Sequence, residues 1–235
     1  MTDPSTSSLA GVVSPSPAGA LPDAVVLLGR GGLGSAARLE LQAAAEALQQ
    51  RLGEGCRVVA AFVDRNAPAL PEALDACAGA ACVAVVPVMV PDEPSLRRWL
   101  HKVVLRWRAR SQSTQRLYFA PPLLSAPGLP EVLAAQARQA LLQPDVPAVA
   151  GDDDWERDPI AWSSVPGHRH HVLWCVGPRC AARGAVAMWP KLGEAVRSHP
   201  QLKQQVELLQ TGCQYPCNHG PMMIVYPAGV WYGPL

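Results

Sequence analysis

Two cysteine pairs near the carboxyl terminus organise the last third of this sequence. Residues 171–180 read HVLWCVGPRC, and residues 211–221 read TGCQYPCNHGP. The spacing is C-x4-C, a long gap and then C-x3-C, so each pair sits on one short loop. Four thiolates in a small volume repel one another unless a metal centre neutralises them, and thiolate-only sites suit zinc or an iron–sulfur cluster.

The width of the two loops favours a two-iron cluster over zinc. Structural zinc sites favour C-x2-C knuckles, because a tight turn sets two sulfurs on one tetrahedral ion. Both loops here are wider and are flanked by glycine and proline, so backbone N–H groups can point at cluster sulfurs. We expect a [2Fe–2S] cluster. Zinc is the main alternative, followed by disulfides or free thiols.

Residues 169–235 resemble the thioredoxin-like [2Fe–2S] ferredoxins, which are related to the small cluster-bearing subunit of respiratory complex I. The matching segments are Val172–Gly184, Gly212–Pro221 and Ile224–Gly233. The resemblance implies a two-iron cluster that serves electron transfer or sensing. It also implies four cluster ligands: Cys175, Cys180, Cys213 and Cys217.

Length, charge and composition narrow the classes of protein. The chain of 235 residues holds one large domain or two small ones, and its net charge of +1 gives no argument for nucleic acid. Its longest apolar runs stay under about ten residues, whereas a spanning helix needs about twenty. Residues 1–21 are rich in Ser, Pro and Ala and lack a basic segment before an apolar core. We therefore expect a disordered tail there and a cytoplasmic protein without membrane contact.

Residues 22–143 alternate apolar runs of strand length with helical periodicity. Continuously apolar strands that alternate with helices predict an α/β fold, with a parallel sheet covered by helices on both faces. An exposed linker is expected over residues 144–168, before a small α/β domain over residues 169–235. The predicted strands span 24–29, 57–63, 82–88 and 116–120, and the predicted helices span 35–52, 71–80, 95–108 and 130–142.

The first predicted strand ends in a glycine-rich loop. Gly29, Gly31 and Gly34 match G-x-G-x-x-G, which alone is a weak sign of a dinucleotide site. A dinucleotide site also needs an acidic residue about twenty positions further on, at the end of the second strand, but the acid there is Asp64, thirty positions beyond Gly34. The loop still lets backbone approach a ligand at the carboxyl edge of the sheet.

Residues 22–143 also resemble the small sirohydrochlorin chelatases of the CbiX type. The matching segments are Val25–Gly31, Ala60–Pro68, Val83–Val88 and Phe119–Leu124. The resemblance implies insertion of cobalt or ferrous iron into a sirohydrochlorin-type macrocycle of the cobalamin or siroheme pathway, which would make the protein a lyase. It also implies a tetrapyrrole ligand and a homodimer.

The sequence departs from the family where its chemistry lies. The family places one histidine after the first strand, where this chain has Arg30, and another after the third strand, where Val90–Pro94 contains none. A guanidinium is neither a base nor a metal ligand, but it binds carboxylates, of which tetrapyrroles carry many. The remaining catalytic candidates are Asp92 and Glu93, as oxygen ligands for a divalent cation, and His101.

The helix over residues 95–108 carries a basic face. Arg98, Lys102 and Arg106 share it at i, i+4 and i+8, opposite the apolar stripe. The face is either a solvated surface or a site for tetrapyrrole carboxylates or an acidic partner. Nucleic acid is disfavoured because no aromatic residues interleave the charges. The predicted substrate-binding residues are Arg30, Gly31, Arg98 and Lys102.

Two hypotheses of function follow. The first is a tetrapyrrole metal chelatase that carries a [2Fe–2S] cluster. The second is a chelatase-like scaffold without catalysis, whose ferredoxin domain transfers electrons to a redox partner protein or senses redox state. The paired resemblances favour the first, whereas the missing histidines favour the second, because proton abstraction from the macrocycle needs a base of suitable pKa.

Overall fold

The computed structural model describes residues 20–32, 34–143 and 163–235. Most of the predicted tail (1–21) and of the predicted linker (144–168) lies outside the described residues, and the domain boundaries stay predictions. The described part contains two separate four-stranded sheets. None of its helices combines the length and apolar character needed to cross a bilayer.

The N-terminal sheet is parallel, and each strand pairs in register with its neighbour. Its elements in chain order are β1 (Ala24–Gly29), α1 (Ala36–Leu52), β2 (Arg57–Phe62), α2 (Leu70–Ala76), β3 (Cys82–Pro87), α3 (Pro94–Ser111), β4 (Arg116–Phe119) and α4 (Leu129–Ala140). The strand order is β2-β1-β3-β4. β1 is buried over its whole length because it is a central strand with helices on both sides.

Helices cover both faces of this sheet, as predicted. On one face, Leu41 of α1 packs with Leu27 and Phe62. On the other face, Leu74 of α2 and Leu100 of α3 belong to a larger buried cluster. The α/β fold class is thereby confirmed, and the carboxyl ends of β1, β2 and β3 meet at one edge of the sheet.

Two helices differ from their predicted form. α2 ends at Ala76, because the N–H of Cys77 bonds to the carbonyl of Leu74 and the chain turns before β3. α4 was predicted as one of the helices that cover the sheet, but all of its residues from 130 to 140 are exposed and none enters the buried clusters. Its sequence is rich in Ala and Gln and offers few large apolar side chains for such packing.

The C-terminal sheet is mixed. Its elements are β5 (His170–Cys175), α5 (Pro178–Ala181), α6 (Ala185–Ser198), α7 (Pro200–Gln205), β6 (Val206–Thr211), β7 (Met223–Tyr226) and β8 (Val230–Tyr232). The order is β6-β5-β7-β8, in which β5 and β6 are parallel and the other pairs antiparallel. Trp174 anchors α6 to this sheet, because its indole N–H donates to the Ala185 carbonyl at 2.9 Å.

Candidate metal centre and the sheet edge that it faces

Strand register brings the two cysteine loops together. Cys175 ends β5 and pairs in register with Thr211, which ends the parallel neighbour β6. The loop after β5 leads to Cys180 on α5, and the loop after β6 carries Cys213 and then Cys217, which begins a short 3-10 turn. Parallel pairing of these two strands therefore starts both loops side by side at one edge.

The four sulfurs form two close pairs without disulfides. The Sγ atoms of Cys213 and Cys217 are 3.1 Å apart, well beyond the bond length of about 2.05 Å in a disulfide. Cys175 and Cys180 are joined by a hydrogen bond between their side chains. All four thiols are free. The disulfide alternative therefore does not fit this geometry.

Hydrogen bonding makes the first pair electrostatically unequal. The S–H of Cys180 donates to Cys175 and lowers the pKa of Cys175 to about 6, although burial acts in the opposite direction. Backbone N–H groups of Gln214 and Gly177 add to the lowering. The same hydrogen bond raises the pKa of Cys180, and burial raises it further. The site thus stabilises one thiolate but opposes a second one until a cation is present.

The donor set fits a two-iron cluster. Two pairs of sulfurs match the two thiolates that each iron of a [2Fe–2S] cluster takes. In the described part of the chain, no three His, Cys, Asp or Glu side chains are arranged to hold a single ion. The backbone is also closely fitted, because a Cβ on Gly177 would lie 3.0 Å from the Cα of Cys213, and one on Gly220 would lie 2.6 Å from the Sγ of Cys180.

Two arginines that the sequence analysis did not single out support the second loop. Nη1 of Arg179 lies 3.6 Å from the Sγ of Cys217. Arg183 donates to the carbonyls of Cys217 and Asn218 at 2.7 and 2.9 Å. Both arginines stand close to the proposed ligand cysteines in the sequence. This position could have indicated their role, because a cation next to several thiolates offsets their charge.

At the carboxyl edge of the N-terminal sheet, Arg30 is held by two carboxylates. Its Nη1 donates to Oδ2 of Asp64 at 2.8 Å, and its Nη2 lies 3.6 Å from Oε1 of Glu93. Oδ1 of Asp64 accepts the N–H of Gly31 at 3.0 Å. Asp64 thus acts as the partner of Arg30, a role that the sequence analysis missed. The signal was its position just after β2, the parallel neighbour of β1.

The other predicted site residues on this edge are also engaged. Nε of Arg97 donates to Asp92 at 2.8 Å. The amide of Gly32 donates to the side chain of Asn66 at 2.8 Å. The Gly31 amide is likewise bound to Asp64. Two N–H groups of the glycine loop therefore bind side chains of the protein itself, which disfavours a phosphate-binding role for the loop. His101 packs edge-on against Phe119, with ring centroids 4.5 Å apart.

A cavity of about 330 Å³ joins the two loop regions. We call it the edge cavity. Arg30, Asp64 and Glu93 line one side, and all four clustered cysteines line the other. Arg98 and Lys102 line an adjoining groove instead. The structure therefore brings the predicted cluster ligands to the sheet edge that carries Arg30.

Known proteins of two different kinds are similar to parts of this chain. The CbiX family model matches residues 24–140. A [2Fe–2S] ferredoxin from Aquifex aeolicus is 38% identical over 71 residues, which are 27% of this chain and 64% of the relative. One from Clostridium pasteurianum is 33% identical over 73 residues, which are 28% of this chain and 71% of the relative. The chain thus spans just under two thirds of the Aquifex relative's length.

Two solved structures are also similar to parts of this chain. The thioredoxin-like [2Fe–2S] ferredoxin from Aquifex aeolicus is 36% identical, with 28% of this chain and 73% of that chain covered at a TM-score of 0.27. A CbiX protein from Marinobacter aquaeolei is 18% identical, with 52% of this chain and 97% of that chain covered at a TM-score of 0.45.

The C-terminal part of the chain is similar to [2Fe–2S] ferredoxins, and the N-terminal part matches the CbiX family. The chain belongs to the [2Fe–2S] ferredoxin family through its C-terminal part, and residues 24–140 are a CbiX-like domain. A [2Fe–2S] cluster is thereby its cofactor, as predicted.

Proposed function

We propose that this protein binds a sirohydrochlorin-type tetrapyrrole at the carboxyl edge of its N-terminal sheet and exchanges single electrons with the bound tetrapyrrole. One observation carries the proposal. The four clustered cysteines and Arg30 line the same cavity of about 330 Å³, so a redox centre and a carboxylate-binding cation face each other. A redox partner protein would supply the electrons.

The cluster ligands under this proposal are the four clustered cysteines: Cys175, Cys180, Cys213 and Cys217. When bound there, the cluster supplies one-electron exchange. The chain's own residues tune it, because backbone N–H groups of Gly177 and Gln214 reach the sulfur of Cys175 and that of Met222 reaches the sulfur of Cys180. Hydrogen bonds to cluster sulfurs are one of the means by which proteins set the reduction potential.

Arg30 is the proposed contact for a substrate carboxylate. Its side chain remains 44% exposed although Asp64 binds one of its nitrogens. A guanidinium presents five donors, so Arg30 can keep its bond to Asp64 and still receive a ligand carboxylate. Asp64 then orients the arginine toward the edge cavity, and the nearby Glu93 contact at 3.6 Å is the weaker one that a ligand displaces.

Insertion of cobalt or ferrous iron into the macrocycle is the second candidate function. The match of residues 24–140 to CbiX favours it, as do the carboxylates of Asp64, Asp92 and Glu93 near one edge. Oxygen donors of this kind bind divalent cations. It ranks second because each of these carboxylates contacts an arginine and His101 does not line the edge cavity.

Anaerobic titration with metal-free sirohydrochlorin tests the binding step. We expect the macrocycle absorption bands to shift in the wild-type protein and the affinity to fall about tenfold or more in Arg30→Ala, because a charge-assisted contact is removed. Arg138→Ala, on the exposed helix α4, is the matched control. Unaltered macrocycle bands on addition of wild-type protein would refute the proposal.

Two further additions separate the candidate functions. Adding Co²⁺ or Fe²⁺ to the bound macrocycle tests insertion, and a rate above that without protein would establish the second candidate. For electron exchange, protein reduced by one electron is mixed with cobalt(III) sirohydrochlorin. The cluster absorbance should recover as cobalt(III) becomes cobalt(II), about tenfold more slowly in Arg30→Ala because binding is weakened. Equal rates in both proteins would exclude a role for the edge cavity.

A further inference from the structure

A second cavity of about 790 Å³ adjoins the edge cavity. Its volume falls in the range of about 300–1,000 Å³ typical of small-molecule sites. No Asp or Glu of the described residues lines it. We call it the basic groove, because it is lined by six cationic side chains: Arg98, Lys102, Arg106, Arg110, Arg179 and Arg183.

Four of these cations come from one face of α3. Arg98, Lys102, Arg106 and Arg110 follow one another at intervals of four residues, and all four are exposed. Residues at this spacing are neighbours on a helix surface, so their like charges repel one another. A ligand with several negative groups would lower that repulsion while it gains contacts, whereas a neutral ligand would not.

The basic groove lies next to the edge cavity. Ser95, Trp99 and Arg179 line both spaces. A ligand bound in the groove can therefore contact residues that also line the edge cavity. The half-buried Trp99 offers a flat apolar surface at the junction, and the cations beyond it offer partners for acidic groups.

Arg179 connects the groove to the candidate metal centre. Its guanidinium carbon lies 5.9 Å from the centre of the Trp99 ring, and its Nη1 lies 3.6 Å from the Sγ of Cys217. A carboxylate bound at the junction would compete with that sulfur for the same guanidinium. Loss of a hydrogen bond and of positive charge beside a cluster ligand makes the reduction potential more negative.

We infer that the basic groove binds the carboxylates of a polycarboxylate tetrapyrrole, and that Arg179 transmits this binding to the reduction potential of the cluster. The inference rests on the proposed function for the class of ligand. It adds the residues that select that class, namely Arg106 and Arg110 on α3 with Arg179 and Arg183 across the groove. Arg179 is a positioning residue that acts through Cys217.

The first test uses uroporphyrin, a metal-free tetrapyrrole with eight carboxylates, and the full-length protein with its cluster. We expect the double variant Arg106→Gln/Arg110→Gln to bind it about tenfold more weakly than wild type, since exposed ion pairs each contribute a modest amount. Coproporphyrin has four carboxylates, so the double variant should weaken its binding by a smaller factor. Arg138→Gln is the control and should bind like wild type. Equal affinity of the double variant and the control would overturn the groove assignment.

The second test measures the reduction potential with and without saturating uroporphyrin. The wild-type potential should become more negative on binding. In Arg179→Gln it should be more negative from the start and respond less, while the visible spectrum shows that the cluster is retained. An unchanged wild-type potential would overturn the coupling. If uroporphyrin binds but cobalt(III) sirohydrochlorin accepts no electron from the reduced protein, the proposed function fails and the groove assignment stands.

Discussion

The two sides of the edge cavity balance their charges in different ways. On the CbiX side, Arg30 contacts Asp64 and Glu93, and Arg97 contacts Asp92, so these five charges are paired within the protein. On the ferredoxin side, four sulfurs crowd together. Nη1 of Arg179 lies 3.6 Å from the Sγ of Cys217 and brings one positive charge to them. The first side balances its charges with its own residues, whereas the second needs a metal centre to neutralise its thiolates.

The largest effect that this comparison predicts is on the cluster itself. Cys180→Ala should reduce iron from about two atoms per chain to almost none and remove the visible colour, because one iron loses a thiolate. Iron analysis and the absorbance of anaerobically purified protein measure this. Cys82→Ala, a half-exposed cysteine of β3, is the control and should retain full colour. A fully coloured Cys180→Ala protein would contradict the ligand assignment.

On the CbiX side of the edge cavity, we expect stability to depend on close packing and not on a bound metal. A Cβ on Gly31 would lie 2.1 Å from the carbonyl oxygen of Asp64. We expect Gly31→Ala to lower the free energy of unfolding by about 3 kcal/mol, because the added methyl group overpacks the loop. Urea titrations that follow the unfolding of the N-terminal half measure this loss. Gly55→Ala, with nothing within 4 Å, should change it by less than about 1 kcal/mol. Similar values for both would show that the loop is loosely packed.

Replacing Asp64 tests its pairing with Arg30 and Gly31 directly. Asp64→Ala leaves Arg30 and the Gly31 amide without their acceptor and should cost about 2 kcal/mol. Asp64→Asn keeps an oxygen for Gly31 and should lose about half as much. The difference between the two variants in urea titration isolates the Gly31 contact. An Asn variant as unstable as the Ala variant would mean that the charge of Asp64 matters more than its position.

The smallest effect is expected at the second ion pair of this edge. Arg97→Ala leaves the Asp92 carboxylate, which is 10% exposed, without its cation and should cost about 1 kcal/mol. Arg197 pairs with Glu194 on the surface, where both side chains are at least 65% exposed. Arg197→Ala should therefore change stability by less than about 0.5 kcal/mol. Equal losses would mean that burial adds nothing to the Arg97 pair.

Local spacing predicted that the four cysteines lie on two short loops, and their role as cluster ligands stays a prediction. Cys175 and Cys180 share one loop, as do Cys213 and Cys217, and glycine and proline mark both loops. The structure adds only that parallel pairing of β5 with β6 starts the loops at the same edge. The alternation of apolar strands and helices likewise predicted the N-terminal fold.

Contacts between distant elements were not predictable in the same way. Asp64 meets Arg30 because β2 lies beside β1, an arrangement that the order of elements alone does not fix. Arg179 meets Trp99 because the thiol loops face α3. Helix α4 was predicted from periodicity, which reports an amphipathic helix but not the surface against which it packs.

The most direct test of the account is to locate the iron by anomalous diffraction at the iron edge from crystals of the full-length protein. The account predicts two adjacent iron peaks bonded to Cys175, Cys180, Cys213 and Cys217, with Arg30 across the edge cavity. Iron bound to any other residues, or a cluster that faces away from Arg30, would contradict it.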